Sequence, residues 1–144
     1  MERFESRTGT LTSNAQEVFS FISDLRNFER FSPRERINDW RADKDSCSFS
    51  VASLGNVEIR VAEKKPFSSV VYSGKALSDN KFDIYFRILE NEMPAKVNLI
   101  FEAELNPLLK MMISGSIRQL LDTVVNEMES FNDWGNIIRD IPLP

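Results

Sequence analysis

The chain has 144 residues, 42% apolar and 28% charged, with a formal net charge of −4. That is the size and composition of one globular domain with a sizeable core, and eleven Phe, two Trp and two Tyr spread along it argue against disorder. The negative balance argues against a broad nucleic-acid surface, and zero histidines with a single cysteine remove His-based acid–base chemistry, Cys-His nucleophiles and the usual zinc, haem and iron–sulfur ligand sets.

In chain order, residues 2–11 alternate loosely and predict a first strand. Ser13-Asn14-Ala15-Gln16 matches a capping box in which the Gln16 amide donates to the Ser13 hydroxyl. Ala15, Val18, Phe19, Ile22 and Leu25 then recur at helical spacing. Leu25, Phe28 and Phe31 stand three apart and predict a second short helical piece, closed by Ser32-Pro33. Arg26, Arg30, Arg34 and Arg36 interleave with Asp24, Glu29 and Glu35, as on a solvated helix face.

From about residue 37 the apolar period changes to two. Cys47, Phe49 and Val51 alternate with serines, and Val57, Ile59 and Val61 follow a turn at Leu54-Gly55-Asn56. Val70-Val71-Tyr72 comes after a break at Pro66, and Ser78-Asp79-Asn80 turns into Phe82, Ile84, Phe86 and Ile88. A turn over 90–94 leads to Val97, Leu99, Phe101, Ala103 and Leu105, with Lys96, Asn98, Glu102 and Glu104 on the opposite face. Strands with short turns and no helix between them predict an antiparallel meander with one packed and one wet face.

Asn106-Pro107 is a strong helix start, Asn as N-cap and Pro at the first helical position. Helical periodicity runs to about Phe131, roughly 37 Å at 1.5 Å per residue. Its apolar stripe is Leu109, Ile113, Ile117, Leu120, Leu121, Val124, Met128 and Phe131. Gly115 and Ser116 interrupt the bulky residues near the middle, leaving either room for a ligand or space for an aromatic ring from the sheet. With no linker or repeat, residues 1–144 read as a single domain. The apolar 134–144 tail is expected to pack on that domain, with a partner subunit as the other option.

Strand, two short helices, meander and long helix give an α+β fold. A curved antiparallel sheet of about six or seven strands grips the long C-terminal helix and tends to leave a cavity between them. The order resembles the START-like superfamily (SRPBCC, Bet v 1-like, related to polyketide cyclases and dehydrases), the helix-grip fold. The residues that carry the likeness are Ser13 through Val18 after a first strand, Asp24 through Pro33, and the Asn106-Pro107 helix start. The resemblance covers residues 2–131 and implies the place of a pocket, but no shared set of catalytic residues. Its iron-binding oxygenase members use His, which this chain lacks.

The expected ligand-binding set is Trp40, Phe49, Val51, Ile59, Tyr72, Ile84, Phe86, Leu99 and Phe101 from the sheet side, with Met112, Ser116, Ile117 and Leu120 from the helix. Each is equally a core residue when taken singly. Tyr72, Tyr85, Ser116, Gln119 and Trp40 are the polar groups available to orient a ligand, while Glu102 and Glu104 face outward together. No catalytic residue, metal or cofactor is assigned. The expected function is binding of a small lipid-like or aromatic molecule. A cyclase- or dehydratase-type enzyme acting on a polyketide-like substrate, and a protein-interaction module with a filled core, are the alternatives. No apolar run approaches the ~20 residues of a membrane helix, Met1 leads straight into Glu2 and Arg3, and the lone Cys47 fits a reducing cytoplasm. Expected partners are therefore a small hydrophobic ligand, no nucleic acid, no membrane insertion, and a possible second copy of the chain.

Overall fold

The computed structural model describes residues 1–31, 37–52, 55–76, 80–90, 94–132 and 134. The elements are β1 (Glu2–Glu5), β2 (Gly9–Thr10), α1 (Ala15–Ile22), a 3₁₀ helix (Leu25–Phe31), β3 (Ile37–Ala42), β4 (Ser46–Val51), β5 (Gly55–Lys65), β6 (Ser69–Ala76), β7 (Asn80–Glu90), β8 (Lys96–Ala103) and α2 (Pro107–Ser130). The architecture is α+β. One antiparallel sheet runs β1-β8-β7-β6-β5-β4-β3, and β2 also pairs with β8.

The expected first strand is two strands. Ser6 leaves the ladder after β1, yet its amide still donates to the Leu99 carbonyl at 2.8 Å and its hydroxyl accepts the Leu99 amide at 2.9 Å. At Gly9 the chain crosses α2 so closely that a Cβ would lie 2.7 Å from Val125 Cγ1. The crossing is held by Arg7, which donates to Glu129 and Asn126, and by the Thr10 amide, which donates to Glu129 at 2.9 Å.

The cap of α1 sits one residue later than the expected capping box. Asn14 Oδ1 accepts the Glu17 amide at 2.9 Å, while the Ser13 hydroxyl donates to the Glu17 carboxylate at 2.7 Å. Ser13 is drawn to the sheet instead, because its carbonyl accepts the Ala95 amide at 2.8 Å. Ala15, Val18, Phe21 and Ile22 are the buried residues of α1; Phe19 turns aside and meets Phe67 edge-on at 5.7 Å. The three-residue spacing of Leu25, Phe28 and Phe31 does form a 3₁₀ helix, whose period is three. Arg26 bonds Asp24 there and Arg30 lies over the rings of Phe21 and Phe131, so neither is simply solvated.

Strand register sets the two faces. Phe4, Phe101, Ile84, Tyr72 and Val61 lie side by side across five strands and face inward. The adjoining row, Arg3, Glu102, Asp83, Ser73, Arg60 and Ser46, faces outward. Gly74 is required by this packing: a Cβ would stand 2.5 Å from the Glu58 carbonyl oxygen and 2.6 Å from the Phe82 ring. The wet face is not wet everywhere. On β8, outward-facing Asn98 and Ile100 are 4% and 3% exposed. Asn98 donates to Glu5 and accepts from Arg87, which also pairs with Glu5, and these side chains roof the strand.

Helix α2 starts as expected, with Asn106 Oδ1 accepting the Leu109 amide at 2.8 Å and Pro107 in the first turn. Its buried line is Ile113, Ile117, Leu121, Val125 and Met128. Its backbone comes closest to β1, β2, β8 and the 3₁₀ helix. Over the middle strands, side chains alone bridge the gap. Beyond its end, Trp134 packs on Phe21, Phe31 and Phe131, with centroids 4.9–5.7 Å away. The expected Ser32-Pro33 stop, Arg34, Glu35, Arg36, Leu54, Ser78-Asp79, 91–93 and the tail from Gly135 lie outside the described residues.

Candidate functional site

Among the described residues, two apolar cavities are found between α2 and the sheet. The larger holds about 120 Å³ and is walled mainly by rings: Phe28 and Phe31 from the 3₁₀ helix, Trp40 from β3, Phe49 from β4, Tyr72 from β6 and Phe86 from β7. Leu25, Ile37, Cys47, Leu99 and Val124 complete it. Trp40 stacks on Phe49 at 5.6 Å, and Phe28 stands edge-on to Tyr72 at 5.8 Å. The smaller, about 70 Å³, is walled mainly by Val57, Ala76, Phe82, Phe101, Leu105, Ile113 and Ile117, with Asn80 and Lys81 at its rim. Phe49, Ile59, Ile84, Leu120 and Leu121 border both.

The expected set divides accordingly. Trp40, Tyr72, Phe86 and Leu99 border the larger cavity, Phe101 and Ile117 the smaller, and Phe49, Ile59, Ile84 and Leu120 both. Three expected residues line neither. Val51 is half-buried at the end of β4 and packs on the core margin. Met112 is 64% exposed, because it sits about 100° around the helix from inward Ile113. Ser116 is displaced from Ile117 in the same way and is half-buried. Gly115 lies on the exposed side, with nothing within 4 Å of where a Cβ would be, so the break in bulk there makes no room for a ligand.

The sequence reading left out Phe28 and Phe31, although their spacing with Leu25 already marked a buried edge. It also left out Val57, Phe82 and Leu105, which the strand alternation contained, and Ala76, at the end of β6 beyond the Val70-Val71-Tyr72 run.

Polar chemistry inside is sparse and committed. The Tyr72 hydroxyl donates to the Ile22 carbonyl at 2.6 Å. Burial, and then the nearby Cys47, push its phenol well above the usual range. Burial, and then Asp43, push the Cys47 thiol up to about 12. Every buried side-chain nitrogen and oxygen among the described residues has a partner. Among those residues, no group of three or more Cys, Asp or Glu is placed to hold a metal.

A further depression, about 1010 Å³, is a trough on the outer sheet face. Glu58, Arg60, Lys75, Lys81, Asp83 and Glu102 line it; Lys75 pairs with Glu58 at 3.4 Å, while like charges stand opposite at Lys75–Lys81 and Asp83–Glu102. Tyr85 stands on the same face, its phenol raised by partial burial and then by its bond to Glu102. With both signs present in the lining, the trough as a whole carries no field of one sign to select a ligand.

No family model matches the chain, and no curated protein sequence does. Solved structures do match. A hypothetical protein from Sulfolobus tokodaii is 14% identical, with 90% of this chain aligned to 89% of that one and a TM-score of 0.60. Protein MLL2253 from Mesorhizobium loti is 6% identical over 91% and 99% of the two chains, with a TM-score of 0.62. The Aha1 dimer from Colwellia psychrerythraea is 10% identical over 90% and 97%, at 0.59. At such identities these likenesses establish a shared fold and nothing about activity. Among the described residues, no helix is long and apolar enough to cross a membrane.

Proposed function

We propose that the protein binds a small, uncharged hydrophobic molecule between α2 and the sheet. The observation that carries this reading is the pair of carbon-walled cavities under the helix. An apolar cavity of about 150 Å³ stays dry and takes up benzene, so the larger one is of the right order. Binding is driven by removing apolar ligand surface from water, at about 25 cal/mol per Å², less the cost of ordering. Among the described residues, no unpartnered buried side-chain polar atom awaits a polar ligand, which favours molecules without charge or strong hydrogen-bonding groups. The cyclase or dehydratase reading is less well supported, since Cys47 and Tyr72 are both held protonated and neither offers a base at neutral pH.

The test is calorimetric titration of the whole chain with benzene, alongside native mass spectrometry of protein purified from cells. A Kd of about 1 mM or tighter is expected from burial of one ring. No heat of binding and no retained molecule would overturn the reading.

A second reading rests on Leu108, Met111 and Met112, which are 67%, 83% and 64% exposed on the first turns of α2. An apolar patch of this kind suits a contact with a second copy of the chain, and one structural neighbour was solved as a dimer. Sedimentation of the wild type and of Met111→Glu decides it: a dimer dissociated by the charge supports the contact, and a wild-type monomer removes it.

A further inference from the structure

We infer that the two cavities receive the two ends of one molecule, an aromatic head in the larger and a short alkyl tail in the smaller. The inference deepens the proposed binding function and rests on it. Two observations carry it. The cavities share walls, so a molecule leaving one passes directly into the other once a shared side chain turns. Their remaining walls also differ in make-up, rings dominating the larger and aliphatic side chains the smaller. Rings of Trp40, Phe28 and Tyr72 surround the larger, where a ligand ring finds edge-on and stacked partners. The smaller has only two rings of its own, Phe82 and Phe101, stacked on each other at 4.9 Å, and its Val57, Ala76, Leu105, Ile113 and Ile117 offer an alkyl chain dispersion contacts.

Leu120 is the shared side chain that can move. It borders both cavities but is only half-buried, whereas its neighbour Leu121 is 6% exposed and fixed in the buried line of α2. A change of Leu120 rotamer toward the exposed flank opens the partition without shifting the helix.

The experiment is a titration of the whole chain with benzene, toluene, ethylbenzene and n-butylbenzene. Benzene occupies the larger cavity alone, and each added methylene is expected to tighten Kd roughly fourfold, the factor for burying one CH₂. Adding a side chain to the smaller cavity by Ala76→Leu is expected to abolish the gain of n-butylbenzene over benzene, both measured on that variant. Methyl NMR gives a readout on the wild type that does not depend on a variant folding: Ile113 and Ile117 methyl shifts move with n-butylbenzene and stay still with benzene. Benzene binding with no gain along the series, an Ala76→Leu protein that keeps the gain, or unmoved Ile113 and Ile117 methyls each overturn the joint occupancy and leave the binding function standing. Failure of benzene itself to bind removes both.

Discussion

The Tyr72 hydroxyl on β6 donates to the carbonyl oxygen of Ile22, 2.6 Å away and 50 residues earlier in the chain. That carbonyl ends α1 and belongs to the last turn, whose oxygens have no partner within the helix. The bond thus caps α1, ties it to the sheet and takes the phenol out of the ligand's reach. Tyr72→Phe is expected to leave the Ile22 oxygen buried without this donor and to cost about 1–3 kcal/mol. Urea unfolding measures the loss, and titration with benzene should show unchanged affinity. A weakened benzene complex in a fully folded variant would give the hydroxyl a role in binding instead.

Two glycines should respond in opposite directions. Gly74→Ala drives a methyl into the Glu58 carbonyl and the Phe82 ring. A strained, overpacked site of this kind costs about 1–3 kcal/mol. Gly115→Ala places the same methyl in open space on a helix and is expected to stabilise by about 0.5–1 kcal/mol. Denaturant midpoints of the two variants should fall on either side of the wild type.

The Asn106 cap, with Pro107 after it, marks locally where α2 begins. Asn106→Ala removes the acceptor for the Leu109 amide and should cost about 1 kcal/mol. Asn106→Asp should restore most of it, because a carboxylate accepts the same bond and suits the positive end of the helix. Equal stability of all three proteins would mean the start of α2 is held by tertiary packing alone.

Stability should fall on the alkaline side. The Cys47 thiol is pushed up to about 12 in the folded protein, from an ordinary value near 9, and the Tyr72 phenol is raised in the same direction. Below pH 9 the thiol is protonated whether the chain is folded or not, and its contribution is fully present. Between about 9 and 12 the unfolded chain gains from ionising and the folded chain does not, so stability is lost across that window. Urea midpoints from pH 8 to 11 trace the loss. The native thiol should also resist an aromatic disulfide reagent at pH 8 and react once the protein is unfolded. Rapid labelling of the native protein would show that Cys47 is reachable from water.

Much of this molecule follows from local spacing. Asn106-Pro107 and apolar residues every third or fourth position define α2. Leu25, Phe28 and Phe31 define the 3₁₀ helix. Alternation about Phe49, Tyr72, Ile84 and Leu99 places the inner face of the sheet. These patterns are written along each element's own axis and need no knowledge of its neighbours. Tertiary structure decided the rest. An apolar period shows that a face is covered, but not how far away its cover lies. Nothing local could therefore say that α2 rests on β1, β2 and β8 and leaves gaps over the middle strands, or that Leu120 stands between two cavities while Met112 meets solvent. The same limit hid Ile100, whose outward position on β8 is buried where it stands beside Glu5 of β1, a strand from the far end of the sequence.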